Sequence, residues 1–152
     1  VFEFRSKARR LKIHHDIKII IIDYLQLCDM SAGQKNRNRE QEVAEASRKA
    51  KLIAKELDIP VILLCQLNRE CEMRADKRPA LSDLRESGAI EQDADIVMFL
   101  YRDDYYKEDS EKRNIAESII AKNRHGETGK VELAWSPQYT TFSSLDYRHE
   151  ED

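Results

Sequence analysis

The 152-residue sequence lacks the features that define several protein classes. Its three cysteines form no CxxC pair and have no histidine at zinc-ligand spacing, so neither a disulfide framework nor a zinc site is expected. No apolar run approaches the roughly 20 residues of a membrane helix, and no apolar signal-peptide core opens the chain. We therefore expect a cytoplasmic protein with reduced thiols and no membrane partner.

The sequence also lacks an excess of positive charge. Lys and Arg number 26 against 29 Asp and Glu, which gives a net charge of −3. This balance excludes a generally basic nucleic-acid binder, so any contact with a polyanion has to come from a local group of cations. The length and the 41% hydrophobic content predict one globular domain.

A third absence is the glycine-rich phosphate loop, whose pattern is GxxxxGKS/T. The segment Gly126 to Lys130 imitates the end of that loop, but Val131 stands where Ser or Thr is required. A strand rather than a helix is also predicted to follow. These 152 residues therefore contain no element that would cradle the β- and γ-phosphates of a nucleotide.

What the sequence does contain is centred on the segment from Lys18 to Leu27. Its four isoleucines, Ile19 to Ile22, are β-branched and predict a central strand of a parallel sheet, with Asp23 at the point where the strand ends. Ligands of open α/β sheets bind at that edge, and a carboxylate there is well placed to hold a hydrated Mg²⁺ beside nucleotide phosphates. An apolar strand ending in Asp is the Walker B pattern. The alternative is an acidic residue that only caps the following turn.

Hydrophobic periodicity predicts the elements around this strand. It indicates helices over 2–15 and 40–57, strands over 61–65 and 95–101 that are buried, a polar loop over 68–83, and a hairpin of 115–122 with 130–135. A final strand would involve Phe142, Leu145 and Tyr147. The order strand, helix, strand from 19 to 65 predicts a parallel crossover. The fold class is therefore α/β, with a parallel sheet, flanking helices and a C-terminal antiparallel hairpin.

Gln66 follows the second predicted strand as Asp23 follows the first. If the strands are neighbours, both side chains face one crevice, where a carboxamide can hydrogen-bond both a γ-phosphate and an attacking water. The alternative is that Gln66 caps the loop that follows it.

Two further groups of residues could bind phosphates. Lys122 and Arg124 lie at the end of a hairpin strand, where two cations suit the polyphosphate of a neighbouring subunit. The segment 82–95 places Gly88 at a predicted helix start, with Arg85 close by, which is typical of a contact to a nucleic-acid backbone. The alternatives are ordinary exposed cations on a hairpin and an ordinary capped helix.

Taken together, these segments resemble the C-terminal motor domain of the DnaB-type replicative DNA helicases. The matching segments are Ile-Ile-Asp-Tyr-Leu-Gln-Leu (21–27), Gln-Leu-Asn-Arg (66–69), Arg-Ala-Asp-Lys-Arg-Pro (74–79), Ser-Asp-Leu-Arg-Glu-Ser-Gly (82–88), Ile-Glu-Gln-Asp-Ala-Asp (90–95), Tyr-Arg-Asp-Asp (101–104) and Ala-Lys-Asn-Arg-His-Gly (121–126). They cover nearly the whole chain, and the stretch 74–95 is the most specific.

The resemblance implies a RecA-like fold, a homo-hexameric ring, ATP and Mg²⁺ as ligands, and ATP-driven movement along single-stranded DNA. It also implies primase and a helicase loader as partners and a nucleoid-associated location in the cytoplasm. By position, the resemblance implies that Asp23 is the Walker B aspartate and that Gln66 senses the γ-phosphate. It implies that Lys122 and Arg124 reach the ATP site of the adjacent subunit. It also implies that the DNA backbone is contacted by Arg85, Glu86 and Gly88. The role of Glu86 rests on the resemblance alone.

In the family, the phosphate loop and the catalytic glutamate precede the helix with which this sequence opens at Val1. We therefore expect residues 1–152 to be a single, N-terminally truncated RecA-like ATPase domain that neither hydrolyses ATP nor unwinds DNA alone. Two alternatives stay open, namely another RecA-like ATPase and a truncated, non-enzymatic module that docks on helicase subunits or single strands. The upstream coding sequence separates the motor from the module, because a phosphate loop there indicates the motor and a start codon near Val1 indicates the module.

Overall fold

The structure, a computed structural model, describes residues 2–23, 39–67 and 69–145, with side chains given except at 2, 39–43, 69, 70 and 85–89. The chain divides into two compact units. The first consists of Val1–Asn68 and Ser82–Ala94, and the second of Arg69–Leu81 and Asp95–Asp152.

The first unit is built around a parallel pair of strands, β1 (Ile20–Ile22) and β2 (Val61–Leu63). Ile20 lies opposite Val61 and Ile22 opposite Leu63. The Leu64 N–H donates to the Ile22 carbonyl at 3.0 Å and so extends the ladder past the end of β2. The predicted parallel pairing of these two strands is confirmed. The predicted burial of both strands is wrong, because Ile21 and Ile62 are 61% and 40% exposed on the face that the described residues leave open.

Helices α1 (Phe2–His15), α2 (Arg39–Leu57) and α3 (Gly88–Asp93) complete this unit. The buried residues of α2 recur every three or four positions, because one stripe of the helix faces β2 and α3; they are Ala46, Ser47, Ala50 and Ile53. Helix α1 packs on α2, and its Arg5 and Arg9 both pair with Glu56. Both predicted helices are confirmed. No helix in the described ranges is long and apolar enough to cross a membrane.

The second unit is a four-stranded antiparallel sheet in the order β3 (Ile96–Tyr101), β4 (Ile115–Asn123), β5 (Gly129–Ser136) and β6 (Thr141–Ser144). A short helix, α4 (Asp103–Tyr106), lies between β3 and β4. The predicted hairpin is β4 with β5 and is confirmed. The final strand β6 includes Phe142, whereas the predicted position Tyr147 lies outside the described residues.

Strand β3 differs from the sequence prediction, which expected a strand that is buried throughout. Val97, Phe99 and Tyr101 are buried, but the side chains that alternate with them are more than half exposed: Ile96, Met98 and Leu100. The reason is that β3 belongs to an antiparallel sheet, in which one face packs on the core and the other can face water, so successive side chains alternate between buried and exposed. An apolar run without alternation does not reveal which of its faces the rest of the chain covers.

Short 3-10 helices occupy Arg69–Met73, Leu81–Ser87 and Pro137–Tyr139. The first, and the start of the second, lie in the region that the sequence predicted to be a polar loop. Cys71 and Leu84, one in each of these helices, are buried. Isolated apolar residues therefore anchor a segment whose average composition is polar.

Candidate functional site

Asp23 and Gln66 lie beyond the carboxyl ends of two strands that are hydrogen-bonded to each other. Asp23 directly follows β1, and Gln66 is separated from β2 by Leu64 and Cys65. Because the strands are parallel and Ile22 lies opposite Leu63, the chain leaves both strands at the same edge of the sheet. Asp23 and Gln66 are both exposed there. This is the edge where ligands of open α/β sheets bind.

The donor set at this edge suits Mg²⁺ better than a metal held entirely by protein. Among the residues that the structure describes, no three His, Cys, Asp or Glu side chains come together as a metal site. Mg²⁺ keeps several of its waters and takes its other ligands from one or two carboxylates and from substrate phosphates. A single exposed carboxylate, that of Asp23, fits this manner of binding.

The segment 82–88 belongs to the same unit as Asp23 and Gln66. Residues Leu81–Ser87 form a 3-10 helix and α3 begins at Gly88, so the predicted helix start is confirmed. Leu84 is buried, and α3 packs on α2. The segment is therefore anchored on both sides of Arg85 and Glu86. The side chains of Arg85 and Glu86 lie outside the described residues.

Lys122 and Arg124 belong to the second unit. Lys122 lies on β4 opposite Val97, and Arg124 is the first residue after the strand. The Arg124 N–H donates to the carbonyl of Asp95 at 2.8 Å, and its Nε lies 3.4 Å from Asp95 Oδ1. The Arg124 side chain is 48% exposed. Its backbone is therefore fixed, while the guanidinium is held by an exposed ion pair.

The turn that carries Arg124 is braced by Asn123. The Asn123 Nδ2 donates to the carbonyl of Glu127 at 3.2 Å, and its Oδ1 accepts from the His125 N–H at 3.3 Å. A Cβ added at Gly126 would lie 2.6 Å from Asn123 Nδ2. A larger residue at 126 would therefore displace the bracing amide of Asn123.

The structure thus distributes the predicted residues over two groups. The first unit carries Asp23 and Gln66 together with the segment of Arg85, Glu86 and Gly88, and the second unit carries Lys122 and Arg124.

Sequence reasoning missed a buried carboxylate, Glu117 on β4, which is 1% exposed. Arg78 donates to it through Nε at 2.8 Å and Nη2 at 3.1 Å. Lys112 and Lys130 approach the same carboxylate at 3.1 and 3.2 Å. The hydrogen bond from Arg78 outweighs burial and lowers the pKa of Glu117 to about 2. Glu117 is therefore ionised at any physiological pH.

Arg78 is held on several sides. Its guanidinium carbon lies 4.8 Å from the ring centre of Tyr101 on β3. Its N–H donates to Asp76 Oδ1 at 3.0 Å, and its carbonyl accepts from Arg74 Nη2 at 2.9 Å. Burial and a hydrogen bond donated to Asp103 raise the pKa of Tyr101, so this phenol stays neutral.

A signal for this cluster was present in the sequence. Alternation along β4 places Glu117 and Ile119 on one side, opposite Tyr101 and Phe99, so an acidic residue interrupts an apolar face. Arg78, the residue that neutralises it, is 39 positions away in the chain, and no local pattern connects the two.

Comparison with known proteins gives consistent results for the family and for the fold. The family model for the DnaB-like helicase C terminal domain matches residues 1–144. The chain is 56% identical over 151 residues to the replicative DNA helicase DnaB of Geobacillus stearothermophilus, and 55% identical over 151 residues to the replicative DNA helicase DnaC of Bacillus subtilis. Each alignment covers 99% of this chain but 33% of the relative. The chain therefore spans about a third of the length of these curated relatives.

Two solved structures are similar as well. One is an ATPase domain, which superimposes with a TM-score of 0.84 at 48% identity, over 94% of this chain and 50% of the other. The second is a DnaB-like replicative helicase, solved in a study of its interactions with primase. It gives the same TM-score and identity over 94% of this chain and 34% of the other.

Proposed function

This chain belongs to the DnaB-like helicase C-terminal domain family, and we propose that it forms part of the ATP-driven motor of a replicative DNA helicase. In this proposal residues 1–152 are the C-terminal portion of one RecA-like ATPase domain, and the phosphate loop lies elsewhere in a longer protein. The motor moves along single-stranded DNA and unwinds the duplex at the replication fork. The observation that carries the proposal is the shared edge of β1 and β2, where Asp23 and Gln66 follow paired strands.

At this edge Asp23 is the Walker B aspartate. Its exposed carboxylate would hold Mg²⁺ through waters of the metal, and the ion would supply positive charge beside the phosphates of ATP. The Gln66 carboxamide can donate hydrogen bonds to a γ-phosphate and accept one from an attacking water. These bonds are lost with the γ-phosphate, so Gln66 distinguishes a nucleotide that has this phosphate from one that lacks it. Loss of the γ-phosphate then alters the segment that follows Gln66, which leads towards residues 69–81.

Lys122 and Arg124 act on the nucleotide of the adjacent subunit in a homo-hexameric ring. Lys122 supplies a point charge, and Arg124 supplies a planar fork for phosphate oxygens. The ion pair of Arg124 with Asp95 does not oppose this role strongly, because an exposed pair contributes only about 0–1 kcal/mol. A polyphosphate outcompetes a single carboxylate for the guanidinium.

The DNA contact is assigned to the segment 82–88. Arg85 and the N–H groups around Gly88 bind phosphates, and Glu86 shares the same segment. Contacts to phosphates position a strand without reading its bases, which suits a protein that passes over every sequence. The burial of Leu84 supports this role, because it anchors the segment beside Arg85.

The partners follow from the same assignment. One of the similar solved structures is that of a DnaB-like replicative helicase and its interactions with primase. We extend that interaction to this chain, which would join a primosome. A helicase loader is inferred from the family resemblance. A replicative helicase works in the cytoplasm on the nucleoid.

The test uses the full-length protein that contains these residues. Asp23→Asn should lower DNA-stimulated ATP turnover by about 100-fold, because an amide neither carries charge nor orients the metal waters. Asp58→Asn is the matched control: Asp58 is also an exposed aspartate, but it precedes β2 at the opposite end of the strand pair, and its φ of 50° suits Asn. Full activity of Asp23→Asn, or equal losses in both variants, would contradict the proposal.

A further inference from the structure

The ion pair between Arg78 and Glu117 joins a buried carboxylate to a guanidinium that donates two hydrogen bonds to it. Glu117 is buried, and three cations share its charge: Arg78, Lys112 and Lys130. Removing a carboxylate from water is costly, and the bidentate guanidinium offsets that cost through geometry as well as charge. The proposed nucleotide and DNA contacts use neither Arg78 nor Glu117.

Arg78 joins two strands of the sheet to the connection that runs from 69 to 81. It donates to Glu117 on β4 and stacks on Tyr101 of β3. Within the connection, its backbone is tied to Asp76 and to Arg74. The connection is thus attached to the sheet through an arginine that has well-defined geometry.

Glu117 and Arg78 each lie close in the chain to residues with a proposed function. Glu117 is near the nucleotide contact of β4, and Arg78 is near the DNA contact of segment 82–88. On one side, Glu117 and Lys122 are both on β4, five residues apart, with a shift of the pairing register between Ile120 and Lys122. On the other side, three residues separate Arg78 from Ser82, where the chain leaves the second unit and enters the proposed DNA segment. The first of these three residues is Pro79, whose fixed φ limits the freedom of the link.

We infer that Arg78 and Glu117 form a positioning pair that couples the nucleotide contact of β4 to the DNA contact of segment 82–88. A displacement of β4 changes the position of Glu117, and the fork of Arg78 passes that change to the start of the segment. The coupling is reciprocal, so DNA bound by the segment also favours the β4 position in which Lys122 and Arg124 reach ATP. The inference rests on the proposed function.

The decisive variant is Arg78→Lys in the full-length protein. Lysine keeps the charge that Glu117 needs, but it loses the bidentate fork and the stacking on Tyr101. Glu117→Gln is the second variant; it keeps the shape of the side chain and replaces the carboxylate with a neutral amide.

Arg102→Lys is a matched control in the same unit. Arg102 lies 4.8 Å from the ring centre of Trp135 and pairs with Asp104 at 3.1 Å, so it repeats the stacked and paired arrangement of Arg78. It differs in that it is not part of the connection 69–81. A purely structural contribution of a stacked arginine would therefore appear in both variants.

Three quantities are measured: ATP turnover without DNA, ATP turnover with saturating single-stranded DNA, and the Kd for a labelled oligonucleotide in the absence of nucleotide. We expect Arg78→Lys to lower the ratio of turnover with DNA to turnover without DNA by about 5-fold or more. Turnover without DNA and the Kd should stay within about twofold of wild type, as should all three quantities in Arg102→Lys. The double variant Arg78→Lys/Glu117→Gln should lower the ratio no further than the stronger single variant.

An unchanged ratio in Arg78→Lys, an equal loss in Arg102→Lys, or additive losses in the double variant would overturn the inference. If Arg78→Lys does not assemble as wild type does, Glu117→Gln decides on the same criterion. A wild-type protein whose ATP turnover does not respond to DNA would instead contradict the proposed function, so the two failures are distinguishable.

Discussion

Arg124 is bound to Asp95 twice, through its backbone N–H at 2.8 Å and through its guanidinium at 3.4 Å. The backbone bond connects the residue before β3 to the residue after β4, so it closes the end of the sheet at which Arg124 leaves β4. The ion pair occupies the same guanidinium that is proposed to bind phosphate. Asp95 therefore both positions Arg124 and competes for it.

The competition can be measured with Asp95→Asn. The backbone hydrogen bond stays, because it uses the main-chain carbonyl, whereas the ionic attraction is lost. The KM for ATP should fall by up to about 5-fold with little change in kcat, since an exposed pair contributes at most about 1 kcal/mol. An unchanged or higher KM would indicate that Asp95 does not hold Arg124 away from the nucleotide.

Mixed rings test the action of Arg124 across a subunit boundary. Arg124→Ala alone should reduce ATP turnover by about 1,000-fold or more, as expected for an arginine that stabilises phosphoryl transfer. Mixing it with subunits whose phosphate loop is disabled should restore part of the activity, because some interfaces then combine an intact Arg124 with an intact loop. The steady-state rate is recorded against the mixing ratio, and a rate of zero at every ratio would place Arg124 outside the site.

Salt dependence tests Arg85. If its side chain contacts a phosphate, Arg85→Ala should weaken binding of single strands by similar factors for different sequences. The slope of log K against log salt should become shallower by about 0.7, the value for one contact to a single strand. Fluorescence anisotropy with two oligonucleotides of different composition measures both effects. Identical affinities and slopes for wild type and variant would remove Arg85 from the DNA path.

Acid titration tests the burial of Glu117. Its pKa is about 2 in the folded protein and its ordinary value is 4.5, so the charged form is favoured by folding. The stabilisation is complete above about pH 4.5 and is lost as the pH falls towards 2. At pH 7, Glu117→Gln should lower the free energy of unfolding by about 1–3 kcal/mol.

The difference between wild type and Glu117→Gln should then shrink as the pH falls from about 5 to about 3, because the protonated glutamate resembles the amide. Thermal unfolding midpoints of both proteins over this range provide the measurement. A difference that stays constant across the whole range would show that the carboxylate charge does not stabilise the folded state.

The sequence predicted those elements whose residues alone determine them. The periodic stripe of α2, the isoleucines of β1 and the alternation of β5 each identify an element without reference to any other part of the chain. The positions of Asp23 and Gln66 beyond neighbouring strands followed from the parallel crossover, which is itself a local rule.

What the sequence did not predict depends on contacts between distant residues. The exposed face of β3 depends on which face of the sheet the rest of the chain covers, and the burial of Glu117 depends on Arg78, 39 residues away. The 3-10 helix at Arg69–Met73 contains the buried Cys71 within a polar segment, where too few apolar residues give a periodic signal. The roles of the candidate residues in nucleotide and DNA binding remain predictions for the experiments above.

The amide of Asn123 has a consequence for the affinity of the hairpin end. Because it ties the turn at His125 and Glu127, the main chain around Arg124 gives up its conformational entropy during folding rather than on contact with a ligand. Only the side-chain torsions of Arg124 are then left to be ordered when it meets a phosphate, which reduces the entropic penalty of each encounter. Replacing Gly126 with a larger residue would return part of that penalty to every binding event.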